Sequence, residues 1–400
     1  MRRAPNIAVI YYSRKGTVHA LAQAAAAGAG TGGAHVRLLR VPGDPQGGER
    51  ADLHGIPVAA PEDLRWADGV VLGTPTYYGN ISSPLKRFIE SASALWREGA
   101  LADRVVTAIT TSNSPHGGRE TTLLALYQSM YHWGALILSA GTTDEAFTAA
   151  GANPYGVCAP SDQEGAVGAA PLWAAQTLGV RVSRAAARMA AGRDDPPAGG
   201  PGRIAVICDP REGATRALAA ALAEGAMAAG AEVRLLPVGA SRHWGSRGAT
   251  PADVEWADAV AMGAHARIGT VSPLLLQFIE ECEPLRASGR LDGKAATGFV
   301  TTSHPHSGSE SALLAFYNAM HHWGAVIVPP GYTDPSITTA GGNPYGISHT
   351  AADGPLPSRE TLAAAVFQGG RLARVTTQLR GPTRPAAAAP ARPADAQAAR

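Results

Sequence analysis

The sequence predicts an α/β protein of two tandem domains, each an open, doubly wound, five-stranded parallel sheet with helices on both faces. Three observations carry this. The chain has 400 residues, which at about 150 per domain sets an expectation of two or three domains. It is written twice. Within each copy, short aliphatic runs alternate strictly with helical segments, as in a parallel sheet covered by crossover helices.

The repetition is direct. Asn6-Ile7-Ala8-Val9-Ile10 returns as Arg203-Ile204-Ala205-Val206-Ile207, 197 positions on. Trp66-Ala67-Asp68 returns as Trp256-Ala257-Asp258, 190 positions on. His132-Trp133-Gly134-Ala135 matches His322-Trp323-Gly324-Ala325, and Asn153-Pro154-Tyr155-Gly156 matches Asn343-Pro344-Tyr345-Gly346, both at that shorter spacing. The change of spacing falls in the Gly/Pro-rich stretch Pro42–Pro61, where length changes cost little. This is a tandem duplication. Domains over 1–191 and 203–380 follow, joined by 192–202, which has the composition of a linker. Residues 381–400 are rich in Ala, Pro and Arg, with almost nothing to bury, and read as a disordered tail.

In the first copy, Ile7–Tyr12, Val36–Val41, Gly69–Leu72, Val105–Thr110 and Ala135–Leu138 are β-branched or aliphatic runs suited to buried parallel strands. Between them, Leu85, Phe88, Ile89, Ala92 and Trp96 share one helical face, and Leu123, Tyr127, Met130 and Gly134 share another. Ser82-Ser83-Pro84 reads as a helix start, with a serine to cap and a proline in the first turn. The segment Thr142–Pro171 exceeds the roughly 12–15 residues usual for a loop.

Composition excludes several classes. Thirty-four basic residues against 32 acidic ones leave a net charge of +2, which argues against nucleic acid as the main partner. Three cysteines, at 158, 208 and 282, form no spaced pair for a disulfide framework or a zinc site. No apolar run reaches the roughly 18–20 residues of a membrane helix. After Met1-Arg2-Arg3, the apolar run Ile7–Tyr12 is too short for a signal peptide. A cytoplasmic protein without membrane insertion is expected. His304, His306, His321 and His322 lack the carboxylate or cysteine partners of a known metal pattern, so no metal is expected.

In open α/β sheets, ligands sit beyond the carboxyl ends of the strands. The first such loop holds Ser13, Arg14, Lys15, Gly16, Thr17 and Val18 before a helix, whose amino end suits a phosphate. Its spacing fits neither a P-loop nor the dinucleotide fingerprint, and a simple capped turn reads equally well. The second loop holds Pro75, Thr76, Tyr77, Tyr78 and Gly79, where paired aromatics either wall a flat ring or cover the sheet end. The third holds Thr111, Ser112, Asn113, Ser114, His116 and Gly117, polar and flexible, or else an ordinary helix cap. Phosphate donors, an aromatic wall and a polar edge on one end of one sheet favour a ligand site.

These elements resemble the WrbA (tryptophan-repressor-binding-protein) family of flavodoxin-like NAD(P)H:quinone oxidoreductases. The resemblance rests on Tyr11-Tyr12-Ser13…Gly16, Gly73-Thr74-Pro75-Thr76…Gly79-Asn80, Leu95-Trp96…Gly99-Ala100-Leu101, His132…Gly134 and Pro154-Tyr155-Gly156. It runs from about Ile7 to Arg188, and more weakly through the second copy to Leu379. The resemblance implies FMN, with Ser13–Val18 around its phosphate and Thr76–Tyr78 and Thr111–Gly117 around its ring. It implies that Trp96 and His132 line the cavity over the flavin, where a pyridine nucleotide and a quinone-like acceptor bind in turn. His132 would hydrogen-bond the acceptor or the flavin edge. It also fits a histidine placed to favour a helix dipole, as Trp96 also fits a core residue. This chain departs from the family pattern at Tyr77-Tyr78 and at Ser114-Pro115-His116.

The second copy departs further. Pro210, Glu212 and Ala214 stand opposite Ser13, Lys15 and Thr17, and Asp209 stands opposite Tyr12. Proline removes a hydroxyl and an N–H, and glutamate repels a phosphate. Arg286 replaces Trp96, and Ala266-Arg267-Ile268 replaces Thr76-Tyr77-Tyr78. The second copy is expected to be structural and flavin-free. The family resemblance implies subunits that wall one another's sites, so a homodimer of this chain would form a pseudo-tetramer, with Thr142–Pro171 as the contact. The alternative is a non-enzymatic flavodoxin-like electron carrier or scaffold.

Overall fold

In the computed structural model, residues 3–43, 55–161, 166–194, 200–209, 213–239 and 247–380 are described. The chain divides into two compact units, one drawn from Met1–Met130 and Ala135–Asp195, the other from Tyr131–Gly134 and Pro196–Gly381. The tail expected to be disordered lies outside the described residues, as do residues 195–199 of the expected linker. The part of that linker before 195 continues a helix that ends at Asp194.

The first unit runs β1 (Asn6–Tyr11), α1 (Thr17–Thr31), β2 (His35–Arg40), α2 (Pro61–Trp66), β3 (Gly69–Pro75), α3 (Ser83–Ser91), α4 (Ser93–Arg97), β4 (Val105–Ser112), α5 (Arg119–His132), β5 (Leu136–Leu138), α6 (Glu145–Ala149), β6 (Val157–Pro160) and α7 (Ala169–Asp194). All pairings are parallel, in the order β2-β1-β3-β4-β5. This is the flavodoxin-like order, with its switch point between β1 and β3. β4 is buried along its whole length, while the edge strand β2 alternates between exposed and half-buried residues as far as the buried Leu39. Asp68 accounts for the repeated Trp-Ala-Asp motif. Its carboxylate accepts the Asn6 N–H at 2.9 Å, holding the starts of β1 and β3 together, and Asp258 does the same for the Arg203 N–H at 2.9 Å.

The segment Thr142–Pro171 is not one long loop. It carries α6 and β6, and β6 pairs with the carboxyl half of β4 from Ile109 to Ser112, whereas β5 pairs only with Val105 and Val106. The fifth sheet position is thus shared by two short strands. Tyr127, fully buried on α5, secures the intervening chain by donating its hydroxyl to the Tyr155 carbonyl at 2.5 Å. At the start of α3, Ser82 is the N-cap by position, but its hydroxyl is engaged with that of Thr74 at 3.0 Å instead of capping the helix.

Helices α1 and α7 pack with their backbones close together. A Cβ on Gly28 would stand 2.0 Å from the Gln176 carbonyl oxygen, and one on Gly179 would stand 2.0 Å from that of Ala25. Only glycine fits at either point.

The second unit repeats this plan with β7 (Arg203–Cys208), α8 (Gly213–Ala228), β8 (Glu232–Pro237), α9 (Pro251–Trp256), β9 (Ala259–His265), α10 (Pro273–Glu281), α11 (Glu283–Ala287), β10 (Ala295–Thr302), α12 (Ser309–His322), β11 (Val326–Ile327), α13 (Pro335–Thr339), β12 (Ile347–Thr350) and α14 (Arg359–Leu379). Its order is β8-β7-β9-β10-β11, again with the last position shared, here by β11 and β12. The three cysteines are free and buried. No helix among the described residues is long and apolar enough to cross a membrane.

Candidate active site

The turn from β1 into α1 forms around Gly16, whose φ of 98° places it in the left-handed region as the helix N-cap. That turn brings the buried Ser13 Oγ within 3.2 Å of both the Gly16 and the His19 backbone N–H groups, from which it accepts hydrogen bonds. An oxygen therefore already sits at the amino end of α1, where the unpaired N–H groups and the helix dipole favour negative charge. Behind the turn, the buried Tyr11 hydroxyl lies 2.5 Å from His19 Nδ1. In front of it, Lys15 Nζ reaches Asn113 Oδ1 at 3.5 Å.

A cavity of about 390 Å³ opens here, within the roughly 300–1,000 Å³ typical of small-molecule sites. Ser13, Arg14, Lys15, Thr17 and Val18 line it from the first loop, and Pro75, Thr76 and Tyr77 from the second. Thr111, Ser112 and Asn113 line it from the third, together with Ser161. The backbone joins the second and third loops, since the Thr76 N–H donates to the Thr111 carbonyl at 2.9 Å. Among the described residues, two cations and no carboxylate line the cavity. Anion-binding groups at one side, an aromatic ring and strand-end hydroxyls fit a phosphorylated planar cofactor such as FMN. Arg14, Lys15, Ser13 and Thr17 would hold the phosphate, and Tyr77 and the Thr111–Asn113 loop would lie along the ring.

Ser161 was missed in the sequence. It follows β6 directly, its N–H donates to the Ser112 carbonyl at 2.8 Å, and its hydroxyl lies 3.2 Å from that of Thr17. The short strand Val157–Pro160 was the signal that could have found it.

The family model for NADPH-dependent FMN reductases matches residues 5–146. The NAD(P)H dehydrogenase (quinone) of Deinococcus radiodurans is 39% identical over 160 residues, covering 38% of this chain and 80% of that protein. This chain belongs to the NAD(P)H dehydrogenase (quinone) family. NAD(P)H dehydrogenase (quinone) 3 of Rhizobium meliloti is 34% identical over 201 residues, covering 46% of this chain and 93% of that protein. Among solved structures, a WrbA-like flavodoxin from Agrobacterium tumefaciens is similar at 26% identity and a TM-score of 0.34, over 46% of this chain and 97% of that one.

Not every residue expected at the site of this quinone dehydrogenase lines the cavity. Tyr78 and Gly79 form the tip of a small hairpin closed by reciprocal hydrogen bonds between Tyr77 and Asn80, and Tyr78 points fully into solvent. Gly16 shapes the first turn without facing the cavity. Ser114, His116 and Gly117 belong to a turn beyond Asn113, in which the Gly117 N–H donates to the Ser114 carbonyl at 3.2 Å. Trp96 lies on α4, about one-third exposed. The last two residues of α5 belong to the second unit, and there His132 Nε2 lies 3.2 Å from the Tyr345 hydroxyl, with its ring edge-on to Tyr345.

In the second unit, the hairpin recurs between Arg267 and Thr270, with Ile268 at its exposed tip. The Thr301 hydroxyl, near the end of β10, is held by its neighbours on α8 and β9. Thr301 Oγ1 lies 2.8 Å from Thr215 Oγ1 and 3.2 Å from His265 Nδ1. Asp209 is buried at the end of β7, and Arg286 pairs with Glu283. Pro210 and Glu212 lie outside the described residues. No cluster of metal-ligating side chains occurs among the described residues. His321 is fully buried while its neighbour His322 is exposed, so the two do not converge.

Proposed function

We propose that the first unit binds FMN in this cavity and passes two electrons from NAD(P)H to a quinone or a similar flat acceptor. The observation that carries the reading is the meeting, in one cavity, of a helix amino end with its serine and cations, the Tyr77 ring and the polar end of β4. Membership of the quinone dehydrogenase family supports it. FMN supplies the hydride chemistry, accepting from the nicotinamide and delivering to the acceptor. The chain's residues bind and orient. Ser13, Arg14, Lys15 and Thr17 hold the anionic end, Pro75–Tyr77 and Thr111–Asn113 set the plane of the ring, and Trp96 and His132 take the substrate side.

The reading extends to the rest of the chain. Domains over 1–191 and 203–380 flank a linker and precede a tail, and the second domain is structural. Its self-bonded hydroxyls and the buried Asp209 support a flavin-free second repeat. The chain acts in the cytoplasm as a homodimer whose four repeats form a pseudo-tetramer.

The test is direct. Purified chain incubated with FMN and desalted should be yellow and should oxidise NADH or NADPH when benzoquinone is supplied. A colourless protein that ignores added FMN would establish the scaffold alternative.

A further inference from the structure

Arg119 opens α5, just beyond the loop that follows β4. Its Nε donates to Ser112 Oγ at 2.7 Å, and Ser112 lines the cavity. The Ser112 hydroxyl proton is committed elsewhere, to the Ser114 carbonyl at 2.5 Å, so its oxygen faces the guanidinium. The far nitrogen, Nη2, is buried from water and meets no acceptor. A buried guanidinium nitrogen without a partner is uncommon enough to demand a reason. Packing of the fold does not supply one, because the matching position of the second repeat holds Ser309. Arginine stands beside the described cavity of the first unit, and the second repeat carries serine in its place.

We propose that Arg119 is a positioning residue whose charge, set one hydrogen bond behind the cavity wall, favours the reduced flavin and raises its midpoint potential. This rests on the FMN reading above. When the oxidised ring takes a hydride from the nicotinamide it gains two electrons and one proton. Its net charge falls by one, and the nucleotide leaves as NAD(P)⁺. Passing that hydride to a quinone, with one proton from solvent, gives the hydroquinone and restores the ring. A half-buried cation near the ring stabilises the more negative of the two flavin states. Arg14 and Lys15 lie on the first loop, where the phosphate would sit, whereas Arg119 lies behind the third.

The experiment measures the flavin midpoint potential spectroscopically in the full-length FMN-loaded chain, for the wild type, R119Q and R119K. R119Q keeps a donor for Ser112 but no charge, and R119K keeps the charge but not the fork. Loss of charge should weaken the preference for reduced over oxidised FMN about tenfold, which is about 30 mV more negative for a two-electron couple. R119K should stay close to wild type. A wild-type midpoint in flavin-loaded R119Q, or a drop in R119K as large as in R119Q, would overturn the proposal and leave the FMN reading intact. Should R119Q lose flavin, R119K decides: retention at the wild-type potential supports the role of charge, and loss refutes it. A wild-type chain that binds no FMN overturns both readings.

Discussion

The Ser13 hydroxyl joins two backbone N–H groups at the amino end of α1, and that arrangement makes the loop testable. Lys15→Glu combined with Ser13→Pro should abolish FMN binding, because it removes the hydroxyl and an N–H and sets a carboxylate beside the phosphate. Unchanged flavin content after desalting would refute the assignment of this loop. A second residue-scale prediction concerns His321. Burial, reinforced by the nearby His322, pushes its imidazole down to about 3. The unfolded chain binds that proton near pH 6.5 and the folded chain does not. Stability should therefore fall as pH drops from about 6.5 toward 3, by about 1.4 kcal/mol per pH unit from this group. His321→Leu should flatten the decline in urea midpoint over roughly pH 4 to 6. Residue types and spacing exposed the three loops in the sequence, because hydroxyls, glycine and cations follow strand ends. Arg119 was not legible there. What distinguishes it is an N–H without an acceptor, a consequence of packing that no local motif encodes.

At the scale of elements, the close α1–α7 contact has the sharpest consequence. Gly179→Ala would force a methyl to within 2.0 Å of the Ala25 carbonyl oxygen, against backbone that cannot rotate away. A loss on the order of 1–3 kcal/mol is expected. At about 2–4 °C per kcal/mol for a unit of this size, a melting curve would show it readily. The same substitution at the exposed Gly30, where a Cβ meets nothing within 4 Å, is the control. Most strands were legible from their aliphatic runs, and the parallel order followed from strict alternation with helices. The division of the fifth position was not. The run Ala135–Leu138 contains β5, but β6 has only four residues, too short for periodicity to separate it from loop. Only pairing with β4 gives β6 its identity as a strand.

For the molecule as a whole, two similar units and one described flavin-type cavity predict a stoichiometry. Flavin absorbance against protein mass should give close to one FMN per chain, and two per chain would refute a structural second repeat. The internal spacing of 190 residues made the doubling plain before any fold was known. It could not show how differently the two strand ends are used. In the first unit Thr111 and Ser112 line the cavity, whereas Thr301 in the second bonds to Thr215 and His265.

The shared fifth position also records an order of events. Both units interrupt that strand at the same place, with a short helix between the halves, and both hold the loop by the same hydroxyl-to-carbonyl bond, from Tyr127 to Tyr155 and from Tyr317 to Tyr345. An ancestor with a single unit therefore already carried the interruption when its gene was copied.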